Sequence, residues 1–553
     1  MRFSFRASSV AFLAAALFVP TLHAKVASVN ITDRILIEDG RRFGDTGTYE
    51  QITGTITFEF DPANPLNQVI VGLDRGKRNR RGMVEATGDL LILRPANPQL
   101  GNGVALVDIA NRGRLSALSF NRGGSGPYGD GFLMREGYTV VWVGWEFDAP
   151  SDRPIHLDVP SVDGFPIGGL GFAAVRDAAS WIKNEPEALV RADHTLSFGS
   201  SQSGRFLRNY LYLGFNTDES GRQVFDGMMP HIAGASRIDL NRPGAEPVSL
   251  HMFTATSFPF ADAALRDPVT GAVDGTLSND RSLGNQPYIF YTNTGVEYWG
   301  GGRVASLVHS TPDGKEDLTP PDNVRVYFFA GTQHGPGAFP PIPGDRGQEM
   351  RNPTDYWWNM RALLTAMKDW VVYDVEPPPS KHPRFADGNL VSASQVKFPA
   401  IPDVRSPRGL TAGNRIANPW LNDRGGEGAA LPLFVPQIDA DGNETSGIRH
   451  PEVQVPLATY TGWKFTHPDE GDPDTLVDLA GSYIPFPSTR AQRDRTNDPR
   501  LSIEERYASR QDFLGQIEAV AQELVEQRYL LDEDQARILE RAAQHWDLIQ
   551  GSG

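Results

Sequence analysis

Hydrophobic and polar residues follow two different patterns in the first 375 residues of the chain. Residues 25–98 are β-rich: polar and apolar positions alternate over 53–60 (TGTITFEF), and a second apolar run covers 89–93 (DLLIL). Such alternation is typical of strands with one buried face. From about residue 100 the pattern changes to an apolar strand, a loop and then a helix, repeated several times.

The apolar runs of this second region predict strands over 104–110, 139–143, 195–198, 227–235, 288–292 and 324–329. Apolar residues at helical spacing predict one helix around 172–182 and another over 357–371, with Thr354 as its N-cap. Near-continuous apolar strands that alternate with helices predict an α/β fold, a mostly parallel sheet covered by helices on both faces.

Two segments depart from this rhythm. Residues 236–286 are rich in Pro, Phe and Asp and are interpreted as a cap-like insertion over the sheet. A proline run at 377–379 ends the unit, which predicts a main domain over 25–375 and a C-terminal extension over 376–553. The extension is Pro-rich at first and ends in two predicted helices. We expect it to pack on the main domain.

Both predicted C-terminal helices have candidate start sites. Ser502 and Glu505 have the spacing of a capping box ahead of the first helix, and Asp532 is placed as the cap of the second. Apolar residues line one face of each helix, which predicts packing against the rest of the chain rather than a separate partner.

The first 24 residues predict a signal peptide. Arg2 and Arg6 are followed by a short apolar run over 8–20, and Ala24 offers a small residue for cleavage. The run is too short to span a bilayer. We therefore expect an exported protein, periplasmic or extracellular, that has no membrane association after cleavage.

Composition and charge exclude several classes. The chain has 553 residues, of which 40% are hydrophobic and 22% charged, a balance typical of a globular protein and not of a disordered one. It contains no Cys, which excludes disulfide scaffolds and cysteine-ligated zinc or iron–sulfur sites. The net charge of −16 argues against nucleic acid as a partner.

No metal or other cofactor is predicted. The acidic segment 439–444 (DADGNE) resembles part of a calcium loop, but its Gly stands at the fourth position and no Glu follows at the twelfth. We interpret it as a turn that joins two strands.

The segment 196–207 (LSFGSSQSGRFL) carries the clearest candidate chemistry. A strand runs into small residues and then into a helix, the context in which a nucleophile elbow is expected. Ser201 is the candidate nucleophile because Gly199 and Ser203, two residues before and after it, are both small. The pattern is G-x-S-x-S rather than G-x-S-x-G. The alternative is a polar turn without catalytic function.

A serine hydroxyl needs a base and the base needs an orienting acid. His334 lies in a glycine-rich loop just after the last predicted strand, while His309 is a weaker candidate and His231 is expected to be structural. Glu297 follows the preceding strand and is the candidate acid; Asp239 and Asp262 remain alternatives.

An oxyanion hole is expected from two backbone N–H groups. Gln202, the residue after the nucleophile, supplies the first, and the loop Asn111–Gly113 supplies the second, with Arg112 or a neighbour as donor. Arg112 has two alternative roles, which are binding an acidic substrate group and forming a surface ion pair.

These segments carry a family resemblance. The chain resembles the α/β-hydrolase superfamily and, more narrowly, the large exported "alpha/beta hydrolase domain" family. The serine, acid and histidine segments (SSQSGRFLR, TNTGVEYW, FAGTQHGPG) match, and two C-terminal segments (VPQIDADGNETSGIR, PLATYTGWKF) resemble that family as well. The resemblance implies an α/β-hydrolase fold and a serine hydrolase with Ser201, Glu297 and His334.

The predicted function is hydrolysis of a carboxylic ester or lactone through an acyl-enzyme, with a small molecule or a polymer as the substrate. The alternatives are an amidase, peptidase or acyltransferase with the same triad, and a hydrolase fold that binds ligands without catalysis. The substrate-binding residues cannot be read from the sequence.

Overall fold

The computed structural model describes residues 25–153, 155–238, 240–246, 258–300, 302–342, 346–413, 415 and 429–551. The predicted signal peptide, residues 1–24, and the alternative acid Asp239 lie outside the described residues. Among the helices that are described, none is long and apolar enough to cross a membrane.

The strands in the first half of the chain are β1 Lys25–Leu36, β2 Tyr49–Phe60, β3 Val84–Pro95, β4 Val104–Ile109, β5 Thr139–Val143, β6 Leu157–Asp158, β7 Ser161–Val162, β8 Phe165–Pro166, β9 His194–Ser200 and β10 Gly227–His231. The strands in the second half are β11 Leu265–Arg266, β12 Val273–Asp274, β13 Tyr288–Thr294, β14 Val324–Ala330, β15 Met350–Arg351, β16 Leu390–Ser392, β17 Phe434–Pro436, β18 Ile448–Arg449, β19 Ala458–Tyr460 and β20 Ser482–Pro485.

The helices are α1 Phe132–Arg135, α2 Leu170–Asn184, α3 Gln202–Tyr212, α4 Gly295–Trp299, α5 Trp357–Tyr373, α6 Pro451–Gln454, α7 Arg490–Thr496, α8 Ile503–Arg506, α9 Arg510–Glu526 and α10 Gln535–Gly551.

An 11-stranded sheet organises the molecule, in the order β1-β2-β3-β5-β4-β9-β10-β13-β14-β18, with β6 beside β3. The first three strands pair antiparallel, and β3 also meets β5 antiparallel. From β5 to β18 every neighbouring pair is parallel. The predicted α/β-hydrolase fold with a mostly parallel sheet is confirmed.

Helices cover both faces of this sheet. Along β5, Val141 and Val143 face one core together with helices α2 and α3, while Val140 and Trp142 face a second core with α5, α9 and α10. The alternation follows from the two-residue period of a strand. Because both faces are buried, the central strands are apolar at nearly every position. This is why apolar runs in the sequence predict them.

The structure changes three of the expected element ends. Strand β10 ends at His231 rather than at residue 235. Thr354 is not the N-cap of α5: the N-cap is Tyr356, and the Asp355 side chain accepts from the Trp357 N–H at 3.2 Å. Asp532 does not cap α10, because residues 532–534 form a 3₁₀ turn before the helix begins.

The capping box of Ser502 and Glu505 is present, but it caps the short helix α8. The longer helix α9 has its own N-cap, Ser509, whose side chain accepts from the Asp512 N–H. The expected long helix therefore begins at Arg510, after the separate short helix that the capping box starts at Ile503.

The C-terminal extension contributes to the main sheet. Its strand β18 pairs parallel with β14, where Phe329 and Ala330 oppose Ile448 and Arg449. A second, three-stranded sheet joins β15 of the main domain to β20 and β19 of the extension. In the predicted cap-like insertion, the described residues include a small hairpin of β11 and β12; residues 247–257 lie outside the description.

Candidate active site

Ser201 occupies the tight turn between β9 and α3. Its backbone has φ 59° and ψ −111°, a conformation that costs energy for any residue other than glycine. The turn is held by a hydrogen bond of 2.8 Å from the Ser201 N–H to the carbonyl of His231. A Cβ atom at Gly199 would lie 2.5 Å from the Ser203 carbonyl oxygen, so glycine is required there.

Ser203 has a structural role that accounts for the departure from G-x-S-x-G. Its side chain is fully buried, and its Oγ accepts from the Ser200 N–H at 2.9 Å and donates to the Ser200 carbonyl at 3.0 Å. Asn111, in the loop after β4, also donates to the Ser200 carbonyl, at 2.7 Å. The polar groups of the turn are thus hydrogen-bonded while Ser201 is presented above the strand end.

His334 reaches Ser201 from the loop after β14. Its Nε2 lies 2.9 Å from Ser201 Oγ, and its Nδ1 lies 2.6 Å from Glu297 Oε1. A carboxylate only accepts hydrogen bonds, so Nδ1 carries the proton and Nε2 is left to accept from the serine hydroxyl. Both distances lie within the range needed for proton transfer. The structure therefore brings together the three residues predicted to form a triad.

Glu297 is held on the short helix α4 by its own first turn. Its Oε2 accepts from the Thr294 N–H at 2.9 Å and from the Thr294 hydroxyl, while the Thr294 side chain accepts in return at the start of the helix. This capping box fixes one carboxylate oxygen on the backbone and leaves the other for His334. Asp262, an alternative acid, instead accepts from the Tyr291 hydroxyl at 2.9 Å.

Charges around the pair of Glu297 and His334 favour a carboxylate next to a neutral imidazole. Burial works to raise the pKa of Glu297, but the hydrogen bond from His334, the charge of Arg303 and the hydrogen bond from the Thr294 hydroxyl outweigh it, and the pKa is lowered. Burial and then the Arg303 charge lower the pKa of His334, although Glu297 opposes them. Arg303 Nε lies 3.9 Å from Glu297 Oε1.

The oxyanion region combines the start of α3 with the loop after β4. Gln202 is the first residue of α3 and directly follows Ser201, so its N–H lies at the positive end of the helix next to the nucleophile. Its side chain donates to the buried carboxyl group of Glu146. The backbone N–H of Arg112 also hydrogen-bonds Glu146, so an oxyanion would compete with Glu146 for that predicted donor. Burial raises the pKa of Glu146 to about 8.

The other candidate histidines have partners of their own. His231 is fully buried beneath the turn, where its Nδ1 lies 2.8 Å from the Thr292 hydroxyl; the expectation of a structural role agrees with this contact. His309 Nε2 lies 2.8 Å from the Tyr298 hydroxyl.

Sequence reasoning missed three residues at this site. Arg303 and Glu146 stand in loops that carry no recognisable motif. Tyr356 donates from its hydroxyl to the His334 carbonyl at 2.6 Å and thereby supports the histidine loop. None of the three has a local pattern that distinguishes it from a structural residue.

A model of the "alpha/beta hydrolase domain" family matches residues 73–540, which is most of the chain. The chain belongs to this family. The match runs from the β-rich start through the serine, acid and histidine segments into the last helix, so it includes the C-terminal extension. The sequence matches no curated protein.

Solved structures that this hydrolase resembles are only distantly similar. They include the rice cell wall degrading esterase LipA of Xanthomonas oryzae (12% identity, 37% of this chain and 49% of that chain, TM-score 0.23). A putative lipase of Sulfolobus solfataricus has 12% identity, 37% and 49% coverage and a TM-score of 0.19. The chain aligns with about half the length of these proteins.

Proposed function

We propose that the protein is a serine hydrolase that cleaves a carboxylic ester or lactone through an acyl-enzyme. The observation that carries the proposal is the chain of contacts from Ser201 Oγ through His334 to Glu297, on a serine whose backbone is held in a strained turn. Nucleophile, base and orienting acid are the three groups that acyl transfer to serine requires.

The geometry supports the following sequence of steps. Ser201 Oγ attacks the carbonyl carbon while its proton passes to His334 Nε2, and the negative charge on the carbonyl oxygen is stabilised by the Gln202 N–H at the positive end of α3. His334 then returns the proton to the departing alkoxide, which leaves as the alcohol. Water, deprotonated by His334, attacks the acyl carbon; the bond from that carbon to Ser201 Oγ then breaks, Ser201 takes the proton back from His334, and the acid is released. Throughout these steps, Glu297 keeps the imidazole of His334 oriented through its bond to Nδ1.

Two matched serine variants test the nucleophile. With short-chain p-nitrophenyl esters as substrates, Ser201→Ala should lower kcat by at least ~10⁴-fold, because the attacking group is removed. A fluorophosphonate probe should add covalently to Ser201 of the wild type and not to Ser201→Ala. Ser203→Ala, two positions away in the same turn, should still be labelled.

The outcomes separate this proposal from its alternatives. Well-folded wild type that is neither active on any ester or lactone nor labelled would overturn it in favour of a binding protein. Faster turnover of amides than of esters would indicate an amidase or peptidase, and transfer of the acyl group to an added alcohol in preference to water would indicate an acyltransferase.

We also propose that the enzyme is exported from the cytoplasm, because two Arg residues and a short apolar run in residues 1–24 are typical of a signal peptide. N-terminal sequencing of protein from the exported fraction should then begin at Lys25. An intact N-terminus on cytoplasmic protein would contradict this.

A further inference from the structure

One carboxylate from the C-terminal extension joins the two elements that carry Glu297 and His334. Glu444 is 1% exposed. Its Oε1 accepts from the indole Nε1–H of Trp299 at 2.7 Å, and its Oε2 accepts from the Gly331 N–H at 2.6 Å. Trp299 is the last residue of α4, two residues after Glu297, and Gly331 precedes His334 by three residues.

Glu444 reaches this position through the turn of residues 438–444. Ile438 and Glu444 pair across the turn, and the Asp439 N–H donates to the Asn443 carbonyl at 2.8 Å. The acidic segment is therefore the turn that the sequence predicted, and its last residue points into the space between α4 and the histidine loop. The Asn443 side chain donates to the Ala458 carbonyl at 3.1 Å and anchors the turn to β19.

The same part of the extension also contacts α4 and the histidine loop through its backbone. A Cβ atom at Gly462 would lie 2.3 Å from the carbonyl carbon of Gly295, the first residue of α4, so the two backbones touch without intervening side chains. The Gly481 N–H donates to Gln333 Oε1 at 2.8 Å, next to His334 in the chain. These contacts leave α4 and the histidine loop little freedom to separate.

We propose that Glu444 is a positioning residue of the hydrolase, which sets the spacing between Glu297 and His334 by binding the element behind each. This inference rests on the proposed function, because the spacing affects the rate only if Glu297 and His334 act as a catalytic pair. Each oxygen of Glu444 faces an N–H donor, and only a group with two acceptors satisfies both. An amide in its place would turn an N–H toward one of the two donors, break that hydrogen bond and displace either α4 or the histidine loop.

The chain offers a chemically matched control for Glu444. The Asp317 side chain is 8% exposed, and each of its oxygens accepts from a separate N–H: Oδ1 from that of Phe385 at 2.8 Å and Oδ2 from that of Ala386 at 2.9 Å. It contacts neither α4 nor the histidine loop in these bonds. Asp317→Asn therefore breaks one hydrogen bond in the same way, without the same effect on the spacing of Glu297 and His334.

The test compares Glu444→Gln with Asp317→Asn. Displacement of a catalytic group by about 1 Å costs up to ~100-fold in rate, so we expect kcat of Glu444→Gln to fall by about 10- to 100-fold while KM changes less than about twofold. Asp317→Asn should keep kcat within about threefold of wild type, although it too loses a hydrogen bond. Equal kcat losses in the two variants, or an unchanged kcat in Glu444→Gln, would overturn the proposal.

A spectroscopic measurement keeps this inference separate from the proposed function. The proton between His334 Nδ1 and Glu297 should give a downfield ¹H resonance, identified by its loss in His334→Ala, whether or not the protein turns over esters. It should shift in Glu444→Gln and stay in place in Asp317→Asn; an unmoved resonance in Glu444→Gln would contradict the positioning role. If Glu444→Gln fails to fold, Trp299→Phe removes one of the two bonds, and the same shift is expected.

Discussion

At the scale of single residues, Arg303 is the group outside the candidate triad whose charge most affects Glu297 and His334. It is buried, lies 3.9 Å from Glu297, and lowers the pKa of both Glu297 and His334. A positive charge stabilises a carboxylate and destabilises an imidazolium. Both effects favour the protonation states in which His334 can accept the serine proton.

This arrangement predicts a displaced pH dependence. Since burial and Arg303 lower the pKa of His334 below its ordinary value of 6.5, the acid limb of kcat/KM should have its midpoint below 6.5. Arg303→Gln removes the positive charge, stabilises the imidazolium and should move that midpoint to higher pH. The midpoint is measured from kcat/KM as a function of pH, with an ester substrate that does not itself ionise over the range.

Arg510→Gln is the control for this prediction, because Arg510 pairs with Asp547 on the exposed face of the C-terminal helices. Its acid limb should coincide with that of the wild type. A midpoint that stays fixed or moves to lower pH in Arg303→Gln would contradict the electrostatic role assigned to this residue.

The members of the candidate triad were predictable from the sequence because each directly follows a buried strand. Ser201 follows β9, Glu297 follows β13 within one helical turn, and His334 follows β14. Parallel strands bring their carboxyl ends to the same edge, so local patterns were sufficient. Glu444 follows no such rule: it meets its partners Trp299 and Gly331 only through folding of a segment more than 100 residues away in the chain.

At the scale of elements, the turn between β9 and α3 depends on a serine hydroxyl where a glycine is more usual. Ser203 is fully buried, and its Oγ accepts from the partly buried Ser200 N–H and donates to the Ser200 carbonyl. Ser203→Ala should lower the free energy of unfolding by about 1–2 kcal/mol, since both hydrogen bonds are lost. Urea unfolding followed by tryptophan fluorescence measures the change.

The surface serine Ser394, whose hydroxyl bonds the Ser392 hydroxyl in an exposed turn, provides the comparison. Ser394→Ala should leave the unfolding midpoint almost unchanged. Should the two variants lose the same stability, the buried hydrogen bonds of Ser203 would not be the cause.

Helix starts were the least predictable elements, and α5 shows why. Thr354 has the preferred residue type for an N-cap, but the side chain that accepts from the first helical N–H is Asp355. Thr354 and Asp355 can both cap a helix and are adjacent in the chain, so tertiary packing decides which of them does so. The apolar faces of the same helices were predicted correctly, since burial constrains many residues at once.

At the scale of the whole molecule, Arg361 ties the C-terminal helices to the main domain. It is fully buried on α5, with Nη1 at 2.8 Å from Asp534 and Nη2 at 2.6 Å from Asp130. Its Nε donates to the Phe120 carbonyl at 2.7 Å. Three separate segments of the chain therefore meet at one guanidinium group.

Removal of this group should destabilise the fold. Arg361→Met leaves the buried Asp534 and the partly buried Asp130 without their shared cation, at an expected cost of about 3–5 kcal/mol in the free energy of unfolding. The denaturant midpoint and the protease sensitivity of α9 and α10 measure the loss. In Arg510→Met, which breaks an exposed pair in the same region, the midpoint should stay close to that of wild type; a loss as large as that of Arg361→Met would point to disrupted helix packing instead.

The overall α/β architecture followed from the sequence because its central strands are long and apolar. The two-residue strand β18 could not be predicted from the sequence. So short a segment has no periodicity of its own and becomes a strand only by pairing with β14. The role of the extension in completing the sheet is for that reason visible only in three dimensions.

The two borders of the main sheet also bear on how molecules of this protein meet one another. At one border, β1 is twelve residues long, but its register is interrupted by two bulges and it carries Asp33 and Arg34 in the exposed stretch. At the other border, β18 offers only two residues. Irregular, charged or very short borders give a foreign strand no continuous ladder to extend. Addition of a strand from a second copy is therefore less favourable at either border than at a long, regular and uncharged strand.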